Sequence, residues 1–159
     1  MAEGIGLVNP ELIHLLQVNI IKFNINSSDE YLENPEEHSG IKLSIGKDTA
    51  HNFDEGMARY RLYFECEASN AKEENLGLTA EIGIEFHFKV ENFSEFIKTG
   101  DKGKMIDISI GSSLMAIAYS TSRGIVLEKT QNTFFKGIIL PVINSTNFLL
   151  DEEKEHTSK

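Results

Sequence analysis

Between positions 78 and 90 apolar side chains alternate without a fault: Leu78, Ala80, Ile82, Ile84, Phe86, Phe88 and Val90 are separated by Thr79, Glu81, Gly83, Glu85, His87 and Lys89. A period of two sends successive side chains to opposite faces, which predicts a long strand with one buried face. The run before it, Tyr60, Leu62, Phe64, Cys66 and Ala68 against Arg59, Arg61, Tyr63, Glu65 and Glu67, has the same period. The polar connection 69–77 returns the chain, so the two runs predict an antiparallel hairpin. Two weaker runs precede them. Leu16, Val18 and Ile20 pass to Ile21, Phe23 and Ile25 with a phase slip at Ile20-Ile21 that predicts a bulge, and Ile41, Leu43 and Ile45 form a shorter strand. Segments 29–40, with Asp29, Glu30, Glu33, Glu36 and Glu37 around Pro35, and 46–56 are polar and read as surface connections.

After the strands the period changes. From Ser112, a plausible N-cap, Leu114, Ile117, Ala118, Thr121, Ile125 and Glu128 fall at helical spacing, which predicts a long helix. On an adjacent face Ala116, Ser120 and Gly124 recur at every fourth position. Glycine inside a helix costs about 1 kcal/mol against alanine, and close approach of another backbone would explain it, so these three are the candidate oligomer interface. Residues 137–144 are apolar around Pro141, which suits a buried extended stretch or a sheet edge.

Composition narrows the class. The chain has 159 residues, 40% of them apolar, which predicts one soluble domain at 1–150 with a charged tail at 151–159. Its net charge of −10 argues against a nucleic-acid groove or an anionic membrane surface. The lone cysteine, Cys66, closes no intrachain disulfide, and its place in the apolar set predicts a buried, slow thiol. Residues 1–6 lack a cationic start and no apolar run approaches the length of a membrane span, so the expectation is a cytoplasmic protein.

No group is nominated for catalysis, no metal site is found, and no cofactor is implied. His14, His38, His51, His87 and His156 show no metal-ligand spacing on a shared helix face. Cys66 and His87 belong to opposite faces of neighbouring strands, which forbids an activated pair. The Gly100-Asp101-Lys102-Gly103-Lys104 stretch lacks the first glycine and the hydroxyl residue of a phosphate loop and reads as a mobile linker.

The order of these words resembles the SecB family of protein-export chaperones from about residue 16 to residue 150. Tyr119, Arg123 and Ile125 resemble the Tyr/Arg part of that family's long helix. Thr133 and Phe134, followed by Leu140, Pro141, Val142 and Asn144, resemble its Thr-Phe…Pro-Val-Asn stretch, and Glu81 with Ile82 resembles the Glu-Val of its last strand. Two acidic positions of the family's first strand stand here as Phe23 and Ser27, leaving Glu81 as the matching acid for a contact with the SecA motor. The resemblance implies an α+β fold, a four-stranded antiparallel sheet followed by a long helix. It also implies a dimer of dimers that binds unfolded polypeptide without nucleotide, and family members also serve toxin–antitoxin pairs.

A holdase needs exposed apolar surface and enough charge to stay in solution. Tyr31, Leu32, Phe53, Phe93, Phe96 and Ile97 lie in polar connections, where they either cover the ends of the core or serve as the candidate client contacts. Phe93 and Phe96 are expected to stand exposed, so that truncating both weakens client capture and leaves the melting temperature near that of the parent. The alternative readings are a client-specific chaperone of a toxin–antitoxin system, a non-catalytic structural oligomer, and a small-molecule enzyme, the last without a positive sequence signal.

Overall fold

Strands β3 (Met57–Ser69) and β4 (Asn75–Val90) form the centre of an antiparallel sheet whose order is β1-β4-β3-β2, with β1 at Ile13–Ser27 and β2 at Gly40–Asn52. The computed structural model describes residues 7–151. The predicted hairpin is β3 and β4: Tyr60, Leu62 and Phe64 stand directly opposite Phe86, Ile84 and Ile82. These residues, with Cys66, Ala68, Leu78, Ala80, Phe88 and Val90, are all buried. Cross-strand neighbours share a face, so one side of the sheet is a continuous apolar floor. The predicted fold class is the observed one.

The predicted slip in β1 is present. Its register against β4 shifts between Ile20 and Lys22, and again between Leu15 and Gln17. The two shifts keep Ile13, Leu15, Val18, Ile20, Phe23 and Ile25 opposite buried residues of β4 and therefore on the core side. Strand β2 is longer than predicted. It continues through Asn52, and the expected connection 46–56 shrinks to the turn at 53–56. Its second half puts Lys47, Thr49 and His51 on the core side, opposite Leu62, Tyr60 and Ala58, so no apolar alternation marks it.

The connection 29–40 contains helix α1 (Asp29–Glu33), capped by Ser28, whose Oγ accepts from the Tyr31 N–H at 3.1 Å. Residues 100–104, read as a mobile linker, are instead the turn and arm of a small hairpin, β5 (Ile97–Gly100) and β6 (Gly103–Ile106). Gly103 carries φ +105, open to glycine at no steric cost.

The long helix α2 spans Ile108–Thr130 and its N-cap is Asp107, five residues before the predicted Ser112. The Asp107 carboxylate accepts from the Ser109 N–H at 2.8 Å and from Lys98 Nζ at 2.5 Å. Asp107 N–H donates to the Phe96 carbonyl at 2.6 Å. Lys98 first, and then Ser109, hold the buried Asp107 carboxyl down at about 2. One residue thus starts the helix and fastens it to the β5–β6 hairpin. Ile110, Leu114, Met115, Ala118, Tyr119 and Val126 press onto the apolar floor, where the Tyr60 hydroxyl donates to the Gly111 carbonyl at 3.3 Å. The partly matching stripe predicted from Ile117, Thr121 and Ile125 is only half-buried.

Phe93 and Phe96 occupy a short 3-10 turn, Phe93–Phe96, and both are 2% exposed. This corrects the expectation that they stand free. A 3-10 turn brings residues three apart onto one side, so the two rings point together into the end of the core. Phe93 stacks on Phe53 at 6.0 Å and on His51 at 6.2 Å. Burial there lowers the pKa of the His51 imidazole. Most of the predicted tail, 152–159, lies outside the described residues, and Asp151 is exposed.

Truncating Phe93 therefore removes a core side chain. Phe93→Ala is expected to cost about 3–5 kcal/mol in urea unfolding. A cost well under 1 kcal/mol, as found at exposed positions, would return the ring to the surface.

Candidate functional site

The six candidate client residues are not gathered in one place. Tyr31 is 5% exposed, sits edge-on to Phe134 at 5.4 Å, and its hydroxyl donates to the Glu36 carbonyl at 3.3 Å. Leu32, beside it, is 49% exposed. Phe53 is half-buried and packs with Phe93 at the other end of the sheet, while Phe96 is buried and Ile97 half-buried where the β5–β6 hairpin begins. Leu32 is therefore the exposed member of the set, while Tyr31, Phe93 and Phe96 cover the ends of the core.

Ala116, Ser120 and Gly124 are exposed along the side of α2 turned away from the sheet. A Cβ built on Gly124 meets no atom within 4 Å, so nothing among the described residues demands a glycine there. Glu81 lies on the outer face of the sheet and pairs with Lys22 at 2.9 Å. Cys66 is 1% exposed, and burial pushes its thiol up to about 12, as an inert structural cysteine requires.

The outer face of the sheet holds a polar network centred on Glu85. Its carboxylate meets His87 Nε2 at 2.7 Å, Arg61 Nε at 2.7 Å and Asn19 Nδ2 at 3.4 Å. Arg61 also reaches Asp48 at 3.8 Å. The hydrogen bond to His87, followed by that to Arg61, lowers the Glu85 carboxyl to about 2. These groups pair with one another across all four strands. Among the described residues no His, Cys, Asp and Glu group has the arrangement of a metal site.

The feature with the geometry of a binding site was not visible in the sequence as a unit. Among the described residues strand β2 is hydrogen-bonded to a neighbour on one side only. On its core side Ile41, Leu43 and Ile45 are half-buried. Facing them runs the extended segment 137–144, tied to α2 by four hydrogen bonds, one of them from the Gly137 N–H to the Thr130 carbonyl at 3.0 Å. The Tyr119 hydroxyl donates to the Pro141 carbonyl at 2.6 Å, Arg123 Nε to the Leu140 carbonyl at 3.0 Å, and the Ile138 N–H to Thr130 Oγ1 at 2.7 Å. Ile138 and Leu140 turn into the core, while Ile139 and Val142 are 74% and 81% exposed. Helix α3 (Ser145–Leu150), capped by Asn144, closes the far end with Phe148.

Between them lies an open groove of about 630 Å³. Its walls are Ile41, Leu43 and Ile45 on one side, Ile138, Ile139, Pro141 and Ile143 on the other, with Asn144, Asn147, Phe148 and Asp151 at the α3 end. An open aliphatic trough beside an unpaired strand suits an extended chain better than a compact polar substrate. The two apolar runs that build it were legible separately; their meeting was not.

Strand β1 supplies a second uncovered surface that periodicity alone did not reveal. Leu15, Leu16, Val18, Ile20, Ile21 and Phe23 are 36–56% exposed.

The sequence matches no protein-family model, and no curated protein matches it. In three dimensions the chain is similar to a SecB-like chaperone of Mycobacterium tuberculosis solved in complex with a ChAD peptide from the HigA1 antitoxin. The TM-score is 0.55 and the identity 9%, over 84% of this chain and 91% of that one. It is also similar, at a TM-score of 0.35 and 11% identity, to a protein of unknown function from Streptococcus agalactiae, over 82% of this chain and 97% of the other. The first likeness shows that this is a SecB-like α+β fold.

The Glu85 network gives a signed pH dependence. Its folded pKa lies below the ordinary carboxylate value, so its contribution is present above about 4.5 and is lost as the pH falls through about 2. Glu85→Gln is expected to lower the melting temperature at neutral pH, with the gap to the parent narrowing over that window. A gap that stays constant down to the acid end would show that the carboxylate is not held by its neighbours.

Proposed function

We propose that this chain is an ATP-independent holdase that captures extended apolar segments of non-native polypeptide in the groove between β2 and segment 137–144. The observation that carries the reading is the pairing of aliphatic walls with an unpaired strand edge. A client strand laid beside β2 would gain main-chain hydrogen bonds from that edge and set alternate side chains into the trough. Such recognition reads shape and apolarity rather than sequence, and it needs no cofactor or covalent chemistry.

The magnitudes suit transient holding. Four client side chains that each gain about 1.5–3 kcal/mol on burial provide about 6–12 kcal/mol. Lost freedom on association takes at least about 4 kcal/mol of that. The net corresponds to micromolar or weaker affinity, so a client can leave by mass action.

A narrower reading, service to one antitoxin, is favoured by the antitoxin peptide bound to the M. tuberculosis SecB-like chaperone. The two versions differ in promiscuity: the general holdase protects many unrelated proteins, the dedicated one a single partner. An export role through SecA would require Glu81 to give up Lys22, and the reading carries no such partner.

Self-association forms part of the proposal. The exposed apolar residues of β1 lie along a 15-residue edge strand. Such an edge pairs readily with another chain, and a second copy related by a two-fold axis would pair it with itself. The Ala116, Ser120 and Gly124 stripe is a second, separate contact surface. Light scattering at low micromolar concentration is expected to report at least a dimer. Phe23→Asp should lower the measured mass if β1 is the interface, and Gly124→Leu should lower it if the stripe is.

The purified protein is expected to suppress aggregation of several unrelated denatured proteins without ATP. Ile139→Asp, at a position already 74% exposed, should weaken that suppression and leave the fold intact. Undiminished suppression by Ile139→Asp would remove the groove from the mechanism.

A further inference from the structure

Lys47 interrupts the aliphatic run on the core side of β2. It follows Ile41, Leu43 and Ile45 at the same period and stands opposite Leu62 of β3. Its Nζ donates to the carbonyl oxygen of Phe148 and, at 2.7 Å, to that of Asp151, and lies 4.8 Å from the centroid of the Phe148 ring. These carbonyls belong to the C-terminal end of α3, where the last turn leaves acceptors without helical donors and the helix dipole is negative. Burial draws the pKa of the Lys47 ammonium down, and the Asp151 carboxylate opposes that shift.

The two walls of the groove are anchored differently. Segment 137–144 is fastened to α2 through Tyr119, Arg123 and Thr130. Lys47 reaches from the opposite wall and grips α3, a six-residue helix none of whose side chains is fully buried. Phe148 and Leu149 pack half-buried against α2, and the Lys47 grip adds a polar tie from the opposite wall that must break before this short element lifts.

We infer that Lys47 is a latch that closes the α3 end of the client groove, so that an extended polypeptide enters fully only when α3 lifts and Lys47 releases the Phe148 and Asp151 carbonyls. The inference rests on the reading of this groove as the client site. It assigns Lys47 a regulatory role: the cation sets how fast the trough opens, while the aliphatic walls set how tightly it holds.

The probe is a fluorescein-labelled peptide in which Ile or Val alternates with Ser, mixed with the full chain in stopped flow, with hydrogen exchange followed at residues 145–150. Lys47→Met is expected to raise the association rate by about tenfold and to speed exchange in α3. Lys47→Arg, which keeps the cation, should stay near the parent. In the unaltered protein, saturation with peptide should speed exchange in α3, a readout that holds even where Lys47→Met fails to fold. An unchanged association rate in Lys47→Met, or α3 amides that become better protected on peptide binding, would overturn the latch. A slower dissociation at unchanged association would equally overturn it, because that is the signature of added apolar surface. Ile139→Asp separates the two levels: loss of peptide binding there keeps the groove while the latch is judged, and intact binding there overturns the groove and the latch together.

Discussion

One helix cannot cover four strands. Neighbouring strands lie about 4.8 Å apart, so the outer strands of this sheet are separated by about 14 Å, while a helix with its side chains is about 10–12 Å across. Helix α2 lies on β3 and β4, whose core-side residues are buried throughout. The outer strands inherit the shortfall. On the β2 side the extended segment 137–144 and α3 come partway over Ile41, Leu43 and Ile45 and leave a trough. On the β1 side the core-facing Leu15, Val18, Ile20 and Phe23 stay 36–43% exposed. The groove and the open strand are two consequences of one mismatch in width.

The same mismatch explains which parts of the structure could be read from the sequence. Strands β3 and β4 are covered on one face along their whole length, so their alternation is clean and their hairpin was evident. The bulge in β1 was legible at Ile20-Ile21 because the apolar phase itself slips there. The second half of β2 was not, because its core-side residues Lys47, Thr49 and His51 meet a helix end, the edge of the core and an aromatic stack rather than its centre. Phe93 and Phe96 misled for a related reason. Their neighbours Ser94 and Glu95 are exposed, and polarity averaged over such a turn hides two rings that share one side. The helix start was displaced because the apolar periodicity begins inside the helix, whereas the cap belongs to Asp107 and its partners on another element.

The candidate site was half legible. Its two walls were read as a short strand and as an apolar stretch around Pro141, but their juxtaposition depends on contacts nearly a hundred residues apart. Tyr119 and Arg123, which marked the resemblance to the SecB family, hold the carbonyls of Pro141 and Leu140 and so position one wall of the groove. The charge of −10 has a role in the same design. A chain that exposes an aliphatic trough and an apolar edge remains dispersed only if the rest of its surface repels other copies and carries water.

The proposed capture of clients in the groove is tested most directly through isoleucine methyl groups. Protein labelled at the isoleucine δ1 methyls would be titrated with an unfolded polypeptide and followed by NMR. Shifts are expected at Ile41, Ile45, Ile138, Ile139 and Ile143, which line the trough, with Ile82 and Ile84 beneath α2 little changed. Shifts confined to Ile20 and Ile21 on β1, with the five groove methyls unmoved, would contradict it.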